Sequence, residues 1–179
     1  MFRPRYILPI LVALGILFGC IFGLPRFDPQ YGAERTVDNL LDAFEENDME
    51  VLAECLAADY RDSSKLSREE ILDFARALRR VMRSCTVRRP QTSVTLNEDK
   101  TSATIVRQLT LRTSGIGPAQ QMLQDFNGGT APATFTLRRN SNKAWDWSIV
   151  SIETPYTQRA PGYKKRVEKL ARQLDEFAP

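Results

Sequence analysis

Histidine is absent from the 179 residues. With it go the usual proton shuttle, the Ser–His and Cys–His nucleophile pairs and the commonest metal ligand. Neither metal catalysis nor a cofactor is therefore expected. Cysteine is scarce: of the 3 present, only Cys55 and Cys85 lie beyond the N-terminal segment. Any excess of one charge is lacking as well. The net charge is only +3, and without an RNA- or DNA-binding motif nucleic acid is excluded as a partner.

What is present begins with ILPILVALGILFGCIFGL, residues 7–24, an uncharged run with Arg3 and Arg5 before it and Arg26 the first charge after it. At a rise of about 1.5 Å per residue, a helix of this length spans most of a hydrocarbon core of about 30 Å. The basic residues on its N-terminal side keep that end cytoplasmic and place the rest of the chain outside. The expected location is a bacterial inner membrane, single-pass, with the main domain periplasmic. Signal cleavage would need small residues where Leu17 and Ile21 stand. Leu17-Phe18-Gly19-Cys20 is similar to a lipobox, which makes Cys20 a candidate for lipidation. Phe18 is bulky there and the apolar run continues past Cys20, so an uncleaved helix is the expectation. Gly15, Gly19 and Gly23 recur every four residues, a stripe that lets another membrane helix approach closely.

The remainder divides into a domain over 27–154 and a C-terminal linker and helix over 155–179. Hydrophobic residues at 42% and charged residues at 26% fit one globular core rather than disorder. Charge is segregated: from Glu34 to Asp59 nine acids face the single base Arg35, and Arg76, Arg79, Arg80, Arg83, Arg88 and Arg89 crowd the next segment. Asp38, Asp42 and Glu45 share one helical face, as do Arg76, Arg80 and Arg83. Two readings follow, ion pairing between neighbouring helices or a basic patch for lipid phosphates or an acidic partner.

Val37, Leu40, Leu41 and Phe44 predict an amphipathic helix over 33–46. Asp48 caps a short second helix with Leu52, Cys55 and Leu56 inward. Ser67 and Glu70 form a capping box, with Leu66 and Ile71 as its staple. The third helix then buries Ile71, Phe74, Ala75, Leu78, Val81 and Met82. After Cys85 the period becomes alternating, which predicts strands over 87–96, 102–112, 133–139 and 144–154, with turns at 97–100 and 140–143. The fold class is α+β, three helices on a curved antiparallel sheet, between a membrane helix and a C-terminal amphipathic helix.

This order of elements, with Leu56-Ala57-Ala58-Asp59-Tyr60-Arg61-Asp62 closing helix two and Trp145-Asp146-Trp147-Ser148-Ile149 in the last strand, resembles the nuclear-transport-factor-2-like superfamily over residues 33–154. The resemblance implies a sheet curled into a cone around an interior cavity. Some members are isomerases or dehydratases and many are binding or assembly modules, so the fold does not choose among them. The isomerases use a tyrosine with two carboxyl groups, and the first helix here offers no tyrosine over its expected span. No catalytic residue is carried over.

Asp59, Tyr60 and Asp62 are candidates for the cone mouth, or else Tyr60 packs and the aspartates cap a turn. Arg107 falls on the face of Ala103, Ile105, Leu109 and Leu111, where it needs a carboxylate or an anionic ligand. The simpler expectation is that Val106 marks the buried face, with Arg107 solvated beyond a bulge. Trp147, and Trp145 on the same face, are core residues or a ligand platform. A Cys55–Cys85 disulfide and two free thiols are equally open; a bridge would add roughly 3 to 4 kcal/mol. Met122, Leu123 and Phe126 in the 113–132 connection are a candidate partner-binding surface, and the Tyr163, Val167, Leu170, Leu174, Phe177 seam either docks on its own domain or binds another chain. The expected function is a non-enzymatic accessory subunit, with a membrane protein or a second copy as partner. A small-ligand binder and an isomerase-like enzyme are the alternatives.

Overall fold

The computed structural model describes residues 28–63, 65–115 and 130–154. Among them no helix is long and apolar enough to cross a membrane. The 7–24 run with Gly15, Gly19, Cys20 and Gly23 lies outside the described residues, as do Met122, Leu123 and Phe126 and the C-terminal seam with Val167, Leu170 and Leu174.

Helix α1 (Pro29–Glu46) starts a turn earlier than its apolar spacing predicts, which brings Tyr31 into a helix expected to carry no tyrosine, on its exposed side. The Gln30 amide donates to Asp28 Oδ1 at 3.0 Å, and Pro29 at the first helical position has no N–H to leave unpaired. Asn47 ends the helix at φ 63°, a left-handed conformation that asparagine tolerates. Asp48 at once caps helix α2 (Met49–Cys55), accepting from the Val51 amide at 3.1 Å. Helix α3 (Arg68–Val81) carries the expected capping box: the Glu70 amide donates to Ser67 Oγ and the Ser67 amide to Glu70 Oε2. Its buried side holds Ala75 and Leu78 as predicted, and also Leu72 and Ala77. Met82 and Arg83 belong to the following strand, so the basic helical face ends before Arg83.

Strands β1 (Met82–Leu96), β2 (Ser102–Gly115), β3 (Thr130–Arg139) and β4 (Trp147–Glu153) form an antiparallel meander in the order β1-β2-β3-β4. The first hairpin closes where Asn97 Oδ1 accepts from the amides of Thr101 and Ser102 at 2.8 and 2.9 Å. Ala103 faces Leu137 and Ile105 faces Phe135 across β2 and β3, four side chains that are almost fully buried. With Val37, Leu40 and Leu41 of α1, and with Tyr60 and Ile149, they make one core. The α+β class stands: three helices on one side of an antiparallel sheet.

Two register shifts adjust which side chains point inward. On β1, Arg89 and Pro90 stand opposite the single residue Leu109, between the Arg88–Thr110 and Gln91–Gln108 pairs. The extra residue reverses the alternation, so Val87 turns into the core. Proline has no ladder donor, which suits it to this position. On β4 the shift falls between the Thr136–Ser151 and Leu137–Ile149 pairs. It leaves Val150 as the extra residue, whose carbonyl accepts from the Arg61 amide at 3.0 Å.

Cys55 and Cys85 are both free thiols, which removes the bridged alternative. Burial, with the charge of Glu54 adding to it, pushes the Cys55 thiol up to about 11. Burial also raises Cys85. Thiols in that state supply little thiolate for exchange.

The N-terminal half of α1 is pinned by a glycine. A Cβ at Gly32 would lie 2.1 Å from the Ala144 carbonyl oxygen and 2.9 Å from Trp145 Cα. Replacing a helical glycine by alanine ordinarily gains about 1 kcal/mol. Here the obstructing atoms are backbone and cannot rotate away, so overpacking wins. Gly32→Ala is expected to lower the unfolding free energy by about 1 to 3 kcal/mol, seen as an earlier urea midpoint at unchanged slope. A mutant as stable as the parent would show that helix and loop separate easily.

Candidate functional site

Arg107 is the one charged side chain that β2 directs into the core among its described residues, at 4% exposure. The ladders on both sides of it run without a shift from Gln91–Gln108 to Leu96–Ala103 and from Ser102–Arg138 to Thr110–Thr130. The expected bulge at this position is absent. Arg107 therefore keeps the inward parity of Ala103 and Ile105, and Val106 is only half-buried.

Its charge is met from α1. Arg107 Nη1 donates to Asp38 Oδ1, and Nη2 donates to Oδ2 at 3.3 Å. Such a two-toothed pair fixes orientation as well as charge. The Asp38 side chain is 41% exposed, so the pair reaches from the core to solvent. Arg107 Nε is buried without a hydrogen-bond partner.

The β1 bulge sets a second arginine beside the first. Arg89 donates from Nη1 to Asp38 Oδ1 at 3.4 Å, and from Nη2 to Asp42 Oδ1 at 2.6 Å and Glu45 Oε1 at 3.1 Å. Burial pushes the Arg89 guanidinium down, but hydrogen bonds and charge from Asp42 and Glu45 outweigh it and hold the group above its ordinary value. Glu45 Oε1 also accepts from the Val87 amide at 2.9 Å. Arg79 of α3 donates to the Glu45 carbonyl at 3.2 Å and lies 5.9 Å from the Phe44 ring centroid. That sets a cation at the negative end of α1. The acidic face foreseen at Asp38, Asp42 and Glu45 thus meets sheet arginines, not a basic helix. Of the α3 arginines expected to answer it, Arg76 pairs with Asp73 of its own helix at 2.6 Å.

The other candidates are dispersed. Asp59 is exposed and forms a double hydrogen bond with Arg138, at 2.7 and 2.9 Å. Tyr60 is buried in the core. Asp62 Oδ1 accepts from the Leu66 amide at 2.9 Å, ordering the turn before α3. Trp147 is buried, and its Nε1 donates to the Ala144 carbonyl at 2.7 Å. Trp145 does not share its face: β4 starts at Trp147, and Trp145 sits in the preceding loop at 53% exposure. The reason is local, since a hydrogen bond from the Asp146 amide to the Lys143 carbonyl turns the chain there. Among the described residues no group of three His, Cys, Asp or Glu side chains could hold a metal ion.

Sequence reasoning placed Asp38, Asp42 and Glu45 on one face without linking them to Arg107, and grouped Arg89 with the helical bases. Arg-Pro inside an otherwise alternating strand was the available signal for the bulge. The partnership across the fold had no local signal.

No protein-family profile matches the chain, and no curated protein sequence matches it. Solved structures do. A protein from Novosphingobium aromaticivorans, provisionally assigned as an aromatic ring hydroxylase, superposes with TM-score 0.55 at 13% identity over 70% of this chain and 86% of its own. A Nostoc punctiforme protein of unknown function with a cystatin-like fold gives 0.50 at 15% identity, over 68% and 86%. Bd1075 of Bdellovibrio bacteriovorus gives 0.54 at 11% identity over 68% of this chain, which spans 38% of that protein's length. Likeness at this identity shows the fold alone: the chain has an α+β architecture similar to that of a protein with a cystatin-like fold.

The two halves of the central pair are unequal, and this decides the outcome of removing either. Arg107→Met leaves Asp38 half-exposed and still bonded to Arg89. Asp38→Ala leaves a charged guanidinium buried without its carboxylate. Asp38→Ala is expected to cost about 3 to 5 kcal/mol and Arg107→Met clearly less, measured by urea unfolding of both mutants. The reverse order would mean that the ladder does not hold Arg107 in place.

Acid should loosen the opposite edge. The hydrogen bonds from Arg138 hold the Asp59 carboxyl below its ordinary 3.8, and those from Ser141 and Asn140 do the same for Asp146. With both pKa values depressed by folding, the unfolded chain takes up protons first, so this stabilisation is present above 3.8 and fades as pH falls below it. The melting temperature is expected to drop over that range, and Asp59→Asn to shallow the drop. Identical acid slopes for mutant and parent would exclude the Asp59 contribution.

Proposed function

We propose that this chain is a single-pass, membrane-anchored protein whose nuclear-transport-factor-2-like domain serves outside the cytoplasm as a non-enzymatic accessory subunit. The observation that carries this reading is the commitment of the inward charges. Arg107 is bonded to Asp38, and Arg89 to Asp38, Asp42 and Glu45, so these groups tie helix to sheet rather than meeting a substrate. The remaining candidates are engaged too, Asp59 with Arg138 and Asp62 with the Leu66 amide. The absence of histidine and the apolar run with its basic flank support the same reading. A bacterial inner membrane, with the N-terminus cytoplasmic and the domain periplasmic, is the location it requires.

One observation favours a second reading, a binder of small organic anions. Arg107 Nε is a buried donor with no partner, and Asp38 is exposed enough to swing away and admit a carboxylate. The displaced Asp38 would have to find another partner, which weakens this reading against the first.

Extraction in mild detergent followed by size separation tests the two together. The accessory reading expects recovery in a larger complex, diminished when Gly15, Gly19 and Gly23 are replaced by leucine, because bulk on that stripe prevents close helix approach. A monomer unaffected by those changes would overturn it. If organic anions raise that monomer's melting temperature, and Arg107→Leu abolishes the effect, the binding reading takes its place.

A further inference from the structure

The described residues expose three large hydrophobic side chains, Tyr31 at 42%, Val51 at 37% and Trp145 at 53%. Two of them share one edge. Gly32, next to Tyr31, is packed so closely on the 144–145 backbone that its Cβ position lies 2.9 Å from Trp145 Cα. Since consecutive Cα atoms are about 3.8 Å apart, the Cα atoms of Tyr31 and Trp145 lie within about 8 Å of each other. The Lys143 ammonium is 6.0 Å from the centroid of the Trp145 ring.

The position of this edge along the chain is unusual. The apolar run ends at Leu24, and only Pro25, Arg26 and Phe27 separate it from Asp28, the cap of α1. Four extended steps reach at most about 14 Å. The headgroup and interfacial layer on one side of a bilayer is itself about 5 to 8 Å deep. Tyr31 lies three residues further on, about 4.5 Å along the helix axis. A domain tethered so briefly has its α1 N-terminus at the bilayer surface, and the Trp145 loop goes with it through the Gly32 contact.

The side chains suit that layer. Tryptophan and tyrosine combine an apolar ring with a polar tip and concentrate at membrane interfaces. A lysine lays its alkyl stem along apolar material and lifts its ammonium toward phosphate. The acids nearby argue against attraction by basic charge alone: Asp28 accepts from the Gln30 amide, Glu34 from the Gln30 side chain and Asp146 from Asn140. The recognition is therefore aromatic and zwitterionic. We propose that the edge formed by Tyr31, Trp145 and Lys143 lies in the phospholipid headgroup layer of the membrane that holds the N-terminal run, and so fixes the orientation of the domain on that membrane.

This rests on the anchored reading, and the experiment separates the two. The full chain is reconstituted into phosphatidylcholine vesicles and floated after an alkaline carbonate wash. Protein left at the bottom of the gradient is not inserted, which overturns the anchor and this inference together. For protein that floats, tryptophan emission is read in vesicles whose lipids carry bromine high on the acyl chains. The chain has 2 tryptophans, and Trp147 is buried, so quenching should come from Trp145 and disappear in Trp145→Phe. A floated protein without lipid quenching overturns the inference while the anchor stands. Iodide then shows what replaces lipid: an emission difference between parent and Trp145→Phe that iodide quenches puts the edge in water, and one that iodide spares puts it under a protein partner.

Discussion

The ion pair between Arg107 and Asp38 is the constraint on which the described domain depends. An arginine on the inner face of a sheet is tolerated only where a carboxylate is delivered to it, and α1 is the element that delivers it. That requirement sets the rotation of the helix about its own axis. With Asp38 over the sheet, Asp42 and Glu45 follow along the same face toward Arg89, and Val37, Leu40 and Leu41 turn to the core. The register of β1 answers the same geometry. Without the extra residue at Arg89-Pro90, Val87 would point outward and its amide would be lost to Glu45.

The opposite end of α1 is held by shape rather than charge. The Gly32 position meets the Ala144 carbonyl at a distance no side chain could share, and that carbonyl is itself fixed by the Trp147 indole. Trp147 belongs to the core through β4, so the N-terminal half of α1, the loop before β4 and the core form one connected unit. The helix is thus fastened at both ends, by hydrogen-bonded charges toward its C-terminus and by backbone contact toward its N-terminus. Neither fastening is interchangeable with the other: the first weakens with loss of a charge, the second with addition of a single carbon.

Helix identities, the capping box of α3, the first hairpin and the antiparallel meander were legible in the sequence, because each is written locally in spacing, caps and turn residues. What escaped was the pairing of distant groups. Asp38 is 69 residues from Arg107 and 51 from Arg89, and no periodicity relates them. Arg107 was expected in solvent because an inward arginine is costly alone, which is correct physics applied without its partner. Trp145 misled for a related reason. Alternation places it with Trp147, but the Trp147–Ala144 hydrogen bond belongs to a loop, and a loop does not keep a period of two. Asp59, Tyr60 and Asp62 stand close together in the sequence yet serve three separate purposes, an exposed ion pair, a core contact and a turn.

A curved sheet around helices can hold a ligand only with interior groups that have something left to offer. Here the described inner face is filled by Ile105, Phe135, Leu137 and Ile149, and its one inward charge on β2 is paired with Asp38, with Nε alone left without a hydrogen bond. Polar groups so matched rigidify and specify a fold. On the accessory reading proposed above, the work of the domain lies on its outside, and what matters there is how the outside is presented. A helix fastened at both ends transmits orientation without bending. For a chain tethered as proposed, the two fastenings of α1 would make the sheet follow the helix, so that whatever orients the start of α1 would orient the whole described domain.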